Sequence, residues 1–195
     1  MSHYYDFDES IKSEKRIVNY DFKGLKMKFT TDNGVFSKGG IDFGSSVLIN
    51  AFIPKGKTLL DVGSGYGTIG ISLAKKYNLD VTMVDINERA VSLCKENIVL
   101  NKVTAKCFLS NIYENVKDTF DIVISNPPIR AGKDVVHEIL VKAYDYLNLN
   151  GELWIVIQKK QGAPSASKKM EEVFGNVTKV TSDKGYYILK SVKMN

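Results

Sequence analysis

The chain contains few of the residues that bind metals or form cross-links. Its 195 residues include two cysteines, two histidines and one tryptophan. Cys94 and Cys107 lie in apolar segments without a CxxC pair, which is typical of reduced cysteines in a cytosolic protein. His3 and His137 are too few to complete a zinc site. We therefore expect a cytoplasmic protein whose chemistry requires no metal ion.

The sequence also lacks a long apolar run and an obvious targeting segment. The stretch LWIVI at 153–157 is far shorter than the about 20 residues of a membrane span, and it predicts a buried strand instead. The first six residues, MSHYYD, have neither the basic nor the apolar region of a signal peptide. We therefore expect no membrane partner.

Charge and composition are those of an ordinary globular protein. Hydrophobic residues make up 44% and charged residues 25% of the chain, which argues against disorder. Lys and Arg total 27 against 22 Asp and Glu, so the formal charge is +5. This mild excess is compatible with a nucleic-acid partner but does not require one. No pattern of an oligomer interface stands out.

The chain divides into a short extension and a larger core. Alternating polar and apolar residues at Arg16–Tyr20 and Leu25–Phe29 predict a small antiparallel pair of strands. A helix is predicted over Asp42–Phe52, and from Lys57 onward strands and helices alternate. We expect a single domain over residues 1–195, with an N-terminal extension (1–56) and a core (57–195).

The core alternates strands and helices in the order typical of an α/β fold. Strands are predicted at Thr58–Val62, Val81–Val84, Ala105–Leu109, Phe120–Ser125, Glu152–Ile157, Val177–Thr181 and Tyr186–Val192. Helices are predicted at Tyr66–Tyr77, Glu88–Leu100, Asp134–Leu147 and Ser165–Val173. Because the first five strands are almost continuously apolar, they fit a parallel sheet that is covered on both faces. The predicted fold is a doubly wound, Rossmann-like, mostly parallel seven-stranded sheet with an antiparallel C-terminal hairpin, plus a short N-terminal β/α extension.

A glycine loop, LLDVGSGYGTIG at residues 59–70, joins the first core strand to the next helix. Such a loop brings the backbone close to a nucleoside cofactor at the carboxyl end of the sheet. Gly65, Gly67 and Gly70 satisfy the GxGxxG pattern of dinucleotide enzymes. Asp85 follows at the end of the next strand, where its carboxylate suits ribose hydroxyls. An NAD(P) site is therefore one interpretation.

Asp61 favours a second interpretation of the same loop. A carboxylate at the end of the first strand is unfavourable beside a pyrophosphate but suits the ammonium group of a methionine moiety. The pattern D-x-G-x-G-x-G from Asp61 to Gly67 resembles the first motif of class I S-adenosylmethionine (SAM) methyltransferases. The sequence of the loop alone favours a SAM site over an NAD(P) site only modestly.

The turn Asn126-Pro127-Pro128-Ile129 follows the predicted strand Phe120–Ser125. It resembles the Asn-Pro-Pro-aromatic motif of methyltransferases that act on planar amino groups. An exocyclic amine is a poor nucleophile because its lone pair is delocalised. The Asn126 side-chain oxygen and the Pro127 carbonyl are placed to accept its two N–H groups, and the prolines make the turn rigid.

The resemblance extends along the chain through three segments: FTTDNGVFSKGGIDFGS (29–45), Ser110-Asn111 and NPPIRAGK (126–133). Together with the glycine loop they resemble the methyltransferase small domain family, which includes small-subunit ribosomal RNA guanine-N2 methyltransferases. The resemblance implies SAM as cofactor and a catalytic turn at Asn126, Pro127, Pro128 and Ile129. The expected cofactor-binding residues are Asp61, Gly63, Ser64, Gly65, Gly67, Asp85, Ile86, Asn111 and Asn126. Phe36 and Lys38 are implied at the border of the active site.

Two features depart from that family. The better-known bacterial ribosomal RNA members carry an additional N-terminal domain, a decayed methyltransferase copy, which this sequence lacks. Ile129 stands where many relatives have an aromatic residue that stacks on the flipped base. The identity of the substrate base is therefore less firmly implied than the reaction.

A basic segment follows the fifth core strand. Residues Gln158–Met170, expected to begin as a loop, contain Lys159, Lys160, Lys168 and Lys169 and no acid. With Arg130 and Lys133 they are predicted to form a phosphate-contacting rim, although a solvated lysine-rich loop without a partner remains an alternative.

Several tyrosines are candidates for stacking on a base. They are Tyr4, Tyr5, Tyr186 and Tyr187, although paired tyrosines more often pack a sheet face. His137 is expected to pack rather than to act in catalysis, because it lies on a helical segment among apolar residues.

These observations predict a SAM-dependent methyltransferase of an exocyclic amine, with guanine N2 of small-subunit ribosomal RNA as the preferred target. Its expected partner is ribosomal RNA or the small ribosomal subunit. Three alternatives stay open. The first is methylation of a protein glutamine amide or of adenine N6, and the second is an NAD(P) enzyme. The third is a SAM- or RNA-binding module without catalysis.

Overall fold

The structure is a computed structural model and describes residues 11–195, so Tyr4 and Tyr5 lie outside the described residues. The strands are β1 (Arg16–Phe22), β2 (Leu25–Thr31), β3 (Thr58–Val62), β4 (Asp80–Asp85), β5 (Ala105–Leu109), β6 (Phe120–Ser125), β7 (Leu147–Gln158), β8 (Thr178–Asp183) and β9 (Tyr186–Val192). The helices are α1 (Phe43–Ala51), α2 (Thr68–Tyr77), α3 (Glu88–Leu100), α4 (Lys133–Tyr146) and α5 (Ala163–Phe174). Within residues 11–195, none of these helices has the length and apolar character needed to cross a membrane.

Seven strands form one sheet in the order β5-β4-β3-β6-β7-β9-β8. Strands β3 to β7 are parallel, whereas β9 runs antiparallel to both β7 and β8. The chain crosses from β5 back to β6, so the strand order reverses beside β3. At such a switch point the loops at the carboxyl ends diverge and leave a crevice for a ligand. The doubly wound sheet with an antiparallel C-terminal hairpin, predicted from the sequence, is confirmed.

Both faces of the sheet are buried, because successive residues of the central strands enter different apolar clusters. Leu59 belongs to a cluster formed with α1, α2, α3 and the β1–β2 hairpin. Leu60 and Val62 belong to the opposite cluster, which α4 and α5 cover. This two-sided burial explains why the core strands are almost continuously apolar.

Two buried asparagines, one in α3 and one that caps its C-terminus, fix the N-terminal hairpin to the core. The Asn97 side chain accepts from the Thr30 N–H at 2.6 Å and donates to the Thr30 carbonyl at 2.9 Å. Asn101 forms the same pair of contacts with the backbone of Lys28. The amide of Asn97 also donates to the carbonyl of Tyr66 in the glycine loop. As a result, the segment that follows β2 crosses the carboxyl end of the sheet.

Several predicted boundaries are shifted: β7, for example, begins at Leu147 rather than at Glu152. Glycines explain two of these shifts. Helix α2 begins at Thr68 rather than at Tyr66, because Gly67 has a φ of 92°, which is incompatible with a helix. After β7, a short 3-10 turn leads into α5, which begins at Ala163 rather than at the predicted Ser165. Gly162, with a φ of 114°, and Pro164 in the first turn start this helix early.

The Gln158–Met170 segment is therefore not a continuous flexible basic loop. Lys168 and Lys169 lie on α5, where Lys169 is ion-paired with Glu172. Only Lys159 and Lys160 remain in the turn that follows β7.

Asp121 joins the starts of three strands at the opposite end of the sheet. Its carboxylate accepts from the N–H groups of Lys57 at 2.8 Å and Thr58 at 3.1 Å, and from the Asn148 amide at 2.9 Å. Burial alone would raise the pKa of Asp121, but these hydrogen bonds lower it to about 2.

Replacing Asp121 with alanine should therefore lower the free energy of unfolding by about 1–3 kcal/mol at pH 7. Because the folded pKa lies below the unfolded value, this stabilisation is complete above about pH 4 and disappears as the pH falls through 2. Urea denaturation of both proteins at pH 7 and pH 3 measures the difference. An equal loss in Asp118→Ala, a nearby exposed aspartate, would contradict the assignment.

Candidate functional site

A cavity of about 570 Å³ opens at the carboxyl ends of β3, β4 and β6. The predicted site residues on its wall are Phe36, Gly63, Ser64, Gly65, Asp85, Ile86, Asn111, Asn126, Pro127, Pro128, Ile129 and Arg130. These residues come from separate loops, so the switch point of the sheet brings them together. Within residues 11–195, no group of three potential metal ligands occurs in the cavity or elsewhere.

The glycines of the loop have two different tasks. Gly63 and Gly65 have φ values of 72° and 56°, and a Cβ atom on either would meet nothing within 4 Å. Their backbone therefore faces open cavity that a ligand can enter. A Cβ atom on Gly67 would lie 2.8 Å from the Cys94 sulfur, and one on Gly70 would lie 2.6 Å from the Met83 sulfur. Gly67 therefore allows the loop to pack closely against α3, and Gly70 allows α2 to pack closely on β4.

Asp85, the last residue of β4, holds the glycine loop through hydrogen bonds. One carboxylate oxygen accepts from the Gly65 N–H at 2.7 Å and the other from the Asn87 N–H at 2.9 Å. Burial raises the pKa of Asp85 above its ordinary value, in opposition to these bonds. Each oxygen can accept more than one hydrogen bond, so the carboxylate retains capacity for a vicinal diol in the cavity.

Asp61 lies beneath the loop rather than on the cavity wall. It is fully buried, and one of its oxygens accepts from the Gly70 N–H at 2.9 Å. Its other oxygen, Oδ1, and the hydroxyl of Ser64 have no hydrogen-bonding partner among residues 11–195. Burial raises the pKa of Asp61 to about 7. Buried polar atoms without partners are costly, so this pair marks a place where water or a ligand group is needed.

Asn126 follows β6 and is held by the start of α1. Its amide nitrogen donates to the Asp42 carboxylate at 3.2 Å and lies 3.0 Å from the Ser45 hydroxyl. Because a carboxylate accepts only, the NH₂ group must face Asp42 and the amide oxygen must be the free acceptor. Asp42 also caps α1 by accepting from the Ser45 N–H at 3.0 Å. A rigid helix start therefore orients the Asn126 amide on the cavity wall.

The structure adds residues to which the sequence analysis gave no role in the site. They are Asp42, Ser45, Asn87, Arg89, Ile112, Gln158 and Gln161, together with Tyr186, which had been considered only as a possible stacking residue. Asp42 was included in the family-like segment and at the start of a predicted helix. The sequence therefore indicated that Asp42 caps a helix within the family-like segment. It did not indicate that the Asp42 carboxylate accepts a hydrogen bond from the Asn126 side chain.

The predicted lysine contacts lie outside the cavity wall. Lys38 is exposed and donates to the Asn33 side chain at 3.1 Å, and Lys133 is exposed at the start of α4. Lys159 and Lys160 are exposed in the turn after β7, where the Lys159 N–H donates to the Gly185 carbonyl at 2.8 Å. Gly67 is also absent from the wall, since it packs against α3. Any contact of these lysines with a ligand must therefore be made outside the cavity.

Comparison with known proteins yields one family and several close matches. The model of the methyltransferase small domain matches residues 26–190. An uncharacterized protein of Bacillus subtilis (strain 168), YbxB, is 48% identical over 200 residues and is covered to 98%, as is this chain. Ribosomal RNA small subunit methyltransferase C of Escherichia coli (strain K12) is 35% identical over 170 residues, which cover 84% of this chain and 48% of that protein.

A solved structure has the same fold. It is the T. thermophilus 16S rRNA N2 G1207 methyltransferase (RsmC) in complex with AdoMet and guanosine, with a TM-score of 0.83 and 24% identity. The match covers 92% of this chain and 50% of that one. The chain thus spans about half the length of both the E. coli and the T. thermophilus proteins. Since the family model covers most of the sequence, the family prediction is confirmed, and the chain belongs to the methyltransferase small domain family.

Proposed function

We propose that the protein is a SAM-dependent methyltransferase that modifies an exocyclic amine, guanine N2 of small-subunit ribosomal RNA. The observation that carries this proposal is the orientation of Asn126. Its NH₂ group is held by Asp42 and Ser45, so its amide oxygen is presented as an acceptor on the wall of the cavity. An acceptor fixed in this way is what a planar amine with two N–H donors requires.

The cofactor is S-adenosylmethionine, and the cavity provides groups that fit it. The Asp85 carboxylate is placed to accept from the ribose hydroxyls, while Gly63 and Gly65 let the chain of the cofactor pass close to the backbone. The unpartnered oxygen of Asp61 and the Ser64 hydroxyl suit the polar end of a methionine moiety, directly or through water. When bound, the cofactor supplies an electrophilic methyl group on a sulfonium.

The residues of the Asn126 turn act by positioning. The Asn126 oxygen and the Pro127 carbonyl each accept one N–H of the amine, which directs the nitrogen lone pair at the methyl group. Bound SAM would supply the methyl group: the nitrogen lone pair would form the new N–C bond, and the electron pair of the broken S–C bond would remain on sulfur as a neutral thioether. The methylated nitrogen then carries a positive charge and releases a proton to solvent. A strong general base is therefore unnecessary.

Two lines of support favour ribosomal RNA as the substrate. The E. coli relative is named a small-subunit ribosomal RNA methyltransferase, and the T. thermophilus structure contains guanosine. The positive charge of this chain, with Arg130 at the cavity and Lys159 and Lys160 exposed after β7, is consistent with phosphate contacts outside the cavity. The preferred partner is ribosomal RNA or the small subunit, in the cytoplasm.

Asp61 gives a pH-dependent prediction for cofactor binding. Its raised pKa of about 7 means that the folded protein holds a proton there from about pH 4 to 7, so stability falls as the pH rises through this range. An ammonium group nearby favours the ionised form, so SAM affinity should rise with pH up to about 7.

The variant Asp61→Asn should remove the part of both pH dependences that Asp61 contributes and weaken SAM binding at pH 8 by about tenfold. Calorimetric titration at pH 6 and 8, with thermal denaturation at the same values, measures the two effects. Unchanged SAM affinity of the variant at pH 8 would show that Asp61 does not face the ammonium group.

The proposed activity is tested by incubating the protein with methyl-labelled SAM and small subunits from a strain that lacks it. Label in the extracted RNA supports the proposal, whereas label only in the protein fraction favours the glutamine-amide alternative. SAM binding without any transfer to either fraction would favour a non-catalytic binding module.

A further inference from the structure

Tyr186 lies on the cavity wall although it is 60 residues from Asn126 in sequence. It is the first residue of β9 and is only partly buried. Its backbone pairs with Gln158 at the end of β7, and the Gln158 side chain shares the same wall. The antiparallel C-terminal hairpin therefore places Tyr186 on the wall of the same cavity as the Asn126 turn.

The ring of Tyr186 packs in a fixed position against the start of α1. A Cβ atom on Gly44 would lie 2.8 Å from Cε1 and 2.9 Å from Cδ1 of the tyrosine, so only glycine allows the ring to lie against the first turn of α1. The Phe43 ring supports it, with centroids 5.6 Å apart and planes inclined by 59°. Because Asp42 of the same helix start orients Asn126, the ring and the amide acceptor are positioned by one rigid element.

The Asn126 turn itself provides no aromatic ring, since Ile129 follows the two prolines. An aliphatic side chain covers one face of a base but lacks the π-face that makes stacking strong. Tyr186 supplies such a face on the same cavity. Beside it, the Lys184 ammonium lies 4.8 Å from the Phe43 ring centroid, which places a cation next to the aromatic pair.

We propose that Tyr186 is the platform on which the base stacks while Asn126 and Pro127 accept its exocyclic amine. This inference rests on the proposed function and deepens it, because a ring platform selects a planar nucleobase over a glutamine side chain. Lys184 is then suited to a phosphate that flanks the extruded nucleotide.

Three variants isolate the ring from the fold. Tyr186→Phe keeps the ring, Tyr186→Leu keeps an apolar group against Gly44 without a π-face, and Tyr187→Leu makes the same change at the next position. Tyr187 packs on the opposite face of β9, against the cluster beneath α4 and α5, and is not on the cavity wall. All three changes leave a large apolar side chain at the position, so all three proteins are expected to fold.

The probes are guanosine, titrated by NMR with S-adenosylhomocysteine present, and deproteinised small-subunit ribosomal RNA in methyl-transfer assays. Tyr186→Leu should weaken guanosine binding and raise the KM for RNA by about tenfold or more. Tyr186→Phe should recover most of the guanosine binding that Tyr186→Leu loses, because it restores the ring. Tyr187→Leu should stay within about twofold of the unmodified protein, and S-adenosylhomocysteine affinity should be the same in all.

These measurements distinguish failure of the platform inference from failure of the proposed function. If the unmodified protein methylates RNA and Tyr186→Leu matches it in guanosine binding and KM, the platform inference is wrong and the proposed function stands. If the unmodified protein neither binds guanosine nor methylates RNA, the proposed function fails first. Equal losses in Tyr186→Leu and Tyr187→Leu would reveal a structural effect of the strand and would also overturn the inference.

Discussion

Replacing Asn126 with alanine is expected to lower the rate of methyl transfer by about 100-fold or more, because a misplaced amine loses its alignment with the methyl group. The change removes the acceptor that Asp42 and Ser45 hold on the cavity wall. It leaves the Asp42 cap of α1 in place, since the Ser45 N–H still donates to that carboxylate. The protein should therefore fold and bind SAM with less than tenfold loss of affinity.

Single-turnover methyl transfer and calorimetric SAM titration separate these two quantities. Asn19→Ala is a matched control, because Asn19 is exposed on β1 in the separate two-stranded sheet and is not on the cavity wall. A variant at Asn126 that turns over at the unmodified rate would exclude this residue from the reaction. Loss of SAM binding in parallel with activity would assign Asn126 to the cofactor instead.

Replacing Asp85 with alanine should weaken SAM binding by about 100-fold. The variant loses the predicted acceptor of the ribose hydroxyls, and it also frees the N–H groups of Gly65 and Asn87. Both effects act on the cofactor half of the cavity. Methyl transfer at saturating SAM should fall much less than SAM affinity, which is the reverse of the pattern expected for Asn126.

Asp80→Ala is the control for this variant, because Asp80 is exposed at the other end of the same strand. Asp85→Asn tests the charge, since it keeps the volume but turns an NH₂ group toward one of the two backbone N–H donors. SAM affinity within twofold of the unmodified value in both Asp85 variants would rule out the ribose assignment.

The order and type of the core elements were predictable because their signals are local. Five apolar runs separated by helical patterns indicate a parallel sheet, and β3, β5 and β6 have the predicted bounds. The glycine loop and Asp85 were predictable for the same reason, since each follows a strand whose carboxyl end must lie at one edge of the sheet. The first residue of a helix that follows a glycine was harder to predict, as for α2 after Gly67 and α5 after Gly162.

The support of the Asn126 turn was not predictable, because it depends on contacts between distant segments. Asp42 and Asn126 are 84 residues apart. Nothing in the local sequence indicates that the N-cap residue of α1 contacts the residue that follows β6. The position of Tyr186 has the same origin, since it depends on the pairing of β9 with β7. Paired tyrosines in a strand pattern predict only that one ring faces each side.

The account is tested most directly by identifying the nucleoside that receives the methyl group. Small subunits from a strain lacking this protein are incubated with SAM and the purified chain, and their RNA is digested and analysed by mass spectrometry. We expect N2-methylguanosine to appear with the unmodified protein and to be absent with Asn126→Ala. Methyl groups found only on adenine N6 or on protein glutamine, or N2-methylguanosine formed equally by both proteins, would contradict the account.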